Sequence, residues 1–184
     1  MGAAFGRITE PMRAFIEGQH VFFVATAPLA GDGRINLSPK GYDAFRVIDD
    51  HRVAYLDLTG SGAETIAHLR ENGRITFMFC AFDGQPNIVR LYGMGRAVRP
   101  DCVEWPDLIA LFEGSPVLEG AVRSIIVADI DRTANSCGFA VPFMDFVEDR
   151  PRLIEWAQNK NPDDIETYWA TKNVSSIDGL PALD

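Results

Sequence analysis

At 184 residues, with 47% hydrophobic and 23% charged, the chain has the length and balance of one globular domain rather than of a disordered or membrane-embedded polypeptide. The 17 Lys and Arg against 26 Asp and Glu leave a formal charge of -9 with no basic block, which argues against nucleic acid as a partner. No stretch approaches ~18 consecutive apolar residues and no secretory signal opens the chain, so no membrane contact and a cytoplasmic location are expected.

Thr9 and Glu10-Pro11 open a short helix carrying Met12, Phe15 and Ile16 at helical spacing, ended by Gly18. Val21 to Thr26 reads as a strand, and Gly31-Asp32-Gly33 as a hairpin turn into a second strand over 34–38. Strands are also expected at Phe45 to Ile48 and Arg52 to Leu58, around an Asp49-Asp50 turn. A half-exposed helix then spans Ala63 to Asn72, with Gly73 as its C-terminal stop. The strand over 74–82 is apolar on both alternating faces, so it requires cover on both sides. Asp83-Gly84 turns into a strand over 87–98, and helices at 104–112, 150–159 and 162–172 flank a strand over 123–131. Asp149 and Asn161 are the expected caps of the last two helices, and 175–183 reads as an extended arm. The order is α+β, and its frequent hairpin turns favour an antiparallel barrel in one domain over 1–184.

One segment has the layout of an anion site. Leu56 to Thr65 runs from a strand through Thr59-Gly60-Ser61-Gly62 into a helix start, where free backbone N–H groups and the positive dipole end converge. Ser61 and Thr65 add hydroxyls, and Lys40, held after Pro39 at a strand end, adds a cation. The same stretch also reads as an ordinary helix start, and Lys40 as a surface lysine. It is neither a Rossmann fingerprint, since Thr65 stands at the third glycine position, nor a Walker A loop.

Four stretches, Asn36-Leu37-Ser38-Pro39-Lys40-Gly41, Ser61 to Arg74, Arg90-Leu91-Tyr92-Gly93 and Ser136-Cys137-Gly138-Phe139-Ala140-Val141-Pro142, with Ser176-Ile177-Asp178-Gly179-Leu180-Pro181 near the end, resemble the bacterial pyridoxamine 5'-phosphate oxidase-related FMN-binding family. The resemblance covers nearly the whole chain. It implies a six-stranded antiparallel split β-barrel, a homodimer, and FMN between the subunits. By position, Ser38, Lys40, Ser61, Gly62 and Thr65 would hold the phosphate or the flavin edge, and Arg90 and Tyr92 would face the ring from the other subunit. The family's oxidases carry an Arg-Lys pair where this chain has Glu64-Thr65, and an Arg-x-His pair near the C-terminus that is missing here, so vitamin B6 oxidation is disfavoured.

The function implied is an FMN-dependent oxidoreductase acting on a small molecule, with a nicotinamide nucleotide as candidate reductant; the alternatives are a non-catalytic flavin-binding or sensing module and a haem-binding split barrel. The sequence names no catalytic side chain. His20, His51 and His68 lack metal-site spacing, so no metal is expected, and Glu64 with His68 reads as an exposed helix-stabilising pair. Cys80, Cys102 and Cys137 read as free thiols, Cys137 as a buried one, and Trp105, Trp156, Tyr168 and Trp169 as packing residues. The double apolar face of 74–82 points to a homodimer, with Phe77 and Phe79 or Met78 and Cys80 toward the partner.

Overall fold

The computed structural model describes residues 2–119 and 121–183. Eight antiparallel strands form one curled sheet: β1 (Ala4–Phe5), β2 (Phe22–Thr26), β3 (Asn36–Lys40), β4 (Phe45–Val47), β5 (Arg52–Leu58), β6 (Arg74–Cys80), β7 (Ile88–Val98) and β8 (Val122–Ser136). Their order is β3-β2-β6-β7-β8-β5-β4, with β1 added to the far half of β8. The count exceeds the six expected because the two-residue β1 and three-residue β4 join the edges. The sheet curls far enough to bring β2 and β5 together although three strands separate them: the Phe22 and Tyr55 rings lie 5.6 Å apart.

That curl produces two cores. Inside the barrel, Val24, Phe77, Phe79, Leu91, Tyr55 and Ile126 pack in one cluster, closed by Met12 and Ile16 of α1 (Glu10–Glu17) and by Ile66, Ala67 and Leu69 of α2 (Glu64–Asn72). On the outer face of β5 and β8, Ala54, Leu56, Ile125 and Val127 pack beneath α3 (Trp105–Ala110) and the 3₁₀ turn Pro116–Glu119. β5 is therefore apolar at successive positions because alternate side chains enter different cores.

Several expectations are corrected. β3 starts at Asn36 and not at Arg34; Arg34 leaves the ladder because Asp178 of the C-terminal arm takes both its backbone N–H and its guanidinium. β8 continues to Ser136, since its polar end pairs with β7 and β1 and the buried Thr133 hydroxyl donates to the Arg7 carbonyl at 2.8 Å. The ladder skips Asp131 opposite Gly93, where any Cβ would overlap the Asp129 carbonyl, so only glycine fits. α2 is not half-exposed: Thr65 to Leu69 are all buried, and Gly73 ends the helix in the left-handed region at φ 73°. Phe77 and Phe79 fill the barrel and do not face outward; Met78 does, half-buried. Cys137 is exposed.

Two further helices, α4 (Arg152–Gln158) and α5 (Pro162–Lys172), follow. Asn161 caps α5 in a reciprocal capping box with Asp164, whereas Pro151 and not Asp149 opens α4. The arm beyond α5 folds onto its own barrel, burying Ala182 and Leu183 in the inner core. Among the described residues, no helix is long and apolar enough to cross a membrane.

Candidate functional site

The turn between β5 and α2 is held by a buried ion pair. Arg123 donates to both Asp57 oxygens, at 2.9 and 3.2 Å, and its third nitrogen donates to the Gly62 carbonyl at 2.9 Å. The turn is also strapped from outside: Asn173 donates to the Gly60 carbonyl at 2.9 Å, and the Trp169 indole to the Thr59 hydroxyl at 2.9 Å. Thr59 in turn donates to the Ala121 carbonyl at 2.7 Å. At the start of α2 the Glu64 carboxylate folds back over the Gly62 backbone, into the space a Cβ there would fill, and accepts the Ile177 N–H at 3.3 Å. Ala63, the residue before the helix, supplies no side-chain cap.

A polar network leads inward from this turn. Asn36 Nδ2 donates to the Thr65 and Thr26 hydroxyls at 3.0 and 3.1 Å, its Oδ1 accepts from Ser38 at 2.9 Å, and Thr26 Oγ1 lies 3.0 Å from His68 Nδ1. His68 is fully buried, and burial lowers its pKa against the opposing pull of Glu64, Glu71 and Asp178. Among the described residues its Nε2 has no hydrogen-bond partner, nor does the buried Tyr55 hydroxyl, which burial and then the Asp57 carboxylate keep protonated.

Strand register sorts the remaining candidates. Ser38 pairs with Val24 and Lys40 with Phe22, so both point to the barrel's inner face at the sheet edge. Lys40 is about 13 Å along β3 from Asn36, at roughly 3.3 Å per residue. It lines a separate cleft of 490 Å³ with Tyr42, His20, Asp149 and Phe146. There the His20 and Phe146 rings stack at 3.8 Å, and Tyr42, in the left-handed region at φ 61°, donates to the Arg150 carbonyl at 2.6 Å. Burial, with Asp149 second, raises the Tyr42 pKa. Arg90 and Tyr92 pair with Met78 and Thr76 and so point to the outer face, where Arg90 donates to Ser136 at 3.1 Å.

The structure thus brings Ser38 and Thr65 together through Asn36 and leaves Ser61 and Gly62 on the strapped turn. Lys40 stands at the cleft, and Arg90 and Tyr92 on the opposite surface of the sheet. Sequence reasoning missed Asn36, Thr26 and His68 as a network, and Asp57, Arg123, Asn173 and Trp169 as the frame of the turn. An Asp among apolar strand residues was the available signal for the ion pair, because a carboxylate there requires a buried partner. At the turn Arg123 is paired with Asp57, and the Glu64 carboxylate stands at the helix start. Met78, Arg90 and Tyr92 share the outer face of the sheet, where Ser136 holds the Arg90 guanidinium.

Known proteins share this fold. The family model described as Pyridoxamine 5'-phosphate oxidase matches residues 8–116. The pyridoxamine 5'-phosphate oxidase family protein ustO of Aspergillus flavus is 39% identical over 191 residues, covering 96% of this chain and 76% of its own. Among solved structures, HupZ of Group A Streptococcus superposes with a TM-score of 0.55 at 21% identity, covering 68% of this chain and 91% of that one. An FMN-binding protein from Syntrophomonas wolfei gives 0.51 at 14% identity, over 74% and 85%. The structural likenesses carry the fold, and the family match with the ustO identity carries the assignment: this chain belongs to the pyridoxamine 5'-phosphate oxidase family.

Proposed function

We propose that the protein is a flavin-dependent oxidoreductase that works as a homodimer, with the flavin enclosed between two chains. FMN is the flavin the family resemblance implies, and FMN-binding is what one structural relative is named for. The observation that carries the reading is the register: Ser38 and Lys40 lie on the inner face of the sheet edge, Arg90 and Tyr92 on the outer face. One chain cannot close these four around one ligand, whereas a two-fold pair juxtaposes the edge of one sheet with the outer face of the other.

A bound flavin supplies the hydride or electron transfer, and the chain supplies binding, orientation and exclusion of water. Arg90, fixed by Ser136, holds positive charge at the ring; Met78 and Tyr92 give it an apolar floor; Lys40 closes the other side from the partner. The substrate is a small molecule entering by the 490 Å³ cleft, and a nicotinamide nucleotide is the proposed reductant. Anaerobic mixing of flavin-loaded protein with NADH or NADPH tests the reaction: bleaching of the visible flavin band is expected. A firmly bound flavin that neither nucleotide reduces would instead mark a carrier or sensor.

A further inference from the structure

We infer that residues 139–147, beyond the end of β8, form a clamp that docks on a second copy of this chain, against the outer face of its β6 and β7. This rests on the homodimer proposed above and names the surface that joins the two chains.

The segment from Phe139 to Val147 contains neither helix nor strand, yet it is pinned. The Val141 N–H donates to the Gly138 carbonyl at 2.8 Å, the Met144 N–H to the Phe82 carbonyl at 2.9 Å, and Phe146 stacks on His20. Held in this way, it turns its apolar side chains to solvent. Phe139, Phe143 and Val147 are 82, 84 and 87% exposed, Met144 and Phe146 59 and 49%. At ~200 Å² per phenylalanine the three rings alone present about 400 Å². That is as large as the largest apolar patch on an ordinary monomer, and half of the ~800 Å² that each partner of a stable pair buries.

Charge indicates what covers it. Between Phe139 and Asp149 stand Asp145, Glu148 and Asp149 and no Lys or Arg, a composition that an anionic lipid surface repels. The outer face of β6 and β7 is the complement: Met78, Tyr92 and Met94 stand there with Arg74, Arg90 and, from β8, Arg132. Arg74 and Arg90 are bonded to neutral groups, Asn72 and Ser136, and Arg132 is exposed. The acid opposite Met94, Asp129, is already paired with Arg52. Each chain thus carries an acidic apolar segment and a basic apolar face, which a two-fold axis brings together twice. The docking also agrees with the shared site. Met144 and Phe146 line the same cleft as Lys40, so seating the clamp on the partner's outer face carries Lys40 toward the partner's Arg90.

The test is sedimentation velocity of the full chain over a range of concentrations. The wild type is expected to be a dimer, and Phe143→Ser with Val147→Ser to raise its dissociation constant about a hundredfold or more. Val103→Ser, at a 96% exposed site just before α3, is expected to leave it within about twofold. Glu148→Arg and Arg132→Glu are each expected to weaken the dimer about tenfold, and both on one chain to restore it to within about threefold. All these positions are exposed, so the variants are expected to keep the fold, which a cooperative denaturation curve checks. A dimer that Met78→Asp dissociates, and Phe143→Ser with Val147→Ser does not, would overturn the clamp alone and leave the homodimer reading standing. Charge variants that do not rescue each other would contradict the face assigned to it. A wild type that stays monomeric at every concentration would overturn both readings, and co-sedimentation of that monomer with phosphatidylcholine vesicles would assign the segment to a lipid surface instead.

Discussion

Arg123, at the irregularity of β8, and Asp57 of β5 form a two-bond ion pair, with 4% and 1% of their side chains exposed. Ser124 adds a third hydrogen bond to Asp57 at 3.0 Å, and Arg123 reaches on to the Gly62 carbonyl, so one buried pair fixes the sheet and the turn that follows it. Removing one partner strands a charge in the interior. Arg123→Met is therefore expected to cost about 3–5 kcal/mol in chemical denaturation, and adding Asp57→Leu to recover much of it. Equal losses for the single and double variants would show that the pair is not the source.

Phe77 and Met78 are neighbours with opposite duties. Phe77 is fully buried in the barrel, so Phe77→Ala is expected to lose about 3–5 kcal/mol of stability. Met78 is half-buried on the outer face, and Met78→Asp is expected to keep the fold while shifting sedimentation from dimer to monomer. A dimer unaffected by Met78→Asp would place the interface elsewhere.

The two strands that misled the reading of the sequence show what it could and could not carry. Strand 74–82 was legible as doubly covered, because apolar residues stand on both alternating faces; which face turned inward depends on the direction of curl, and that is set by long-range pairing. The polar end of β8 was invisible to hydrophobic patterning, since Arg132, Asn135 and Ser136 pair with β7 and belong to neither core. α2 was legible as a helix from its apolar spacing and Gly73, but its burial was not, because His68 and Thr65 become interior residues only through Thr26 and Asn36 on distant strands. The phosphate candidates followed from residue types, whereas the backward fold of Glu64 depends on an arm more than 100 residues later (|i−j| = 113).

His68 makes stability depend on pH. Its ordinary value is 6.5, and burial lowers it in the folded state. Between the folded value and 6.5 the unfolded chain thus binds more protons than the folded one, and stability falls as pH falls through that window. Denaturation midpoints at pH 7.5 and at successively lower pH are expected to decline more steeply for the wild type than for His68→Gln, which cannot titrate there. Identical slopes would show that His68 does not drive the decline.

The proposed shared site, in which one flavin touches Lys40 of one chain and Arg90 of the other, predicts that two defective chains complement each other. Lys40→Ala and Arg90→Ala are each expected to fold and dimerise but to retain little flavin alone. Unfolded and refolded together, half of the dimers should be mixed. Each mixed dimer carries one intact site, made from the undamaged Lys40 and Arg90, giving about a quarter of wild-type flavin content. Flavin content no higher than in the separate variants would mean that both residues serve the same chain's site, or none, and would contradict the shared site.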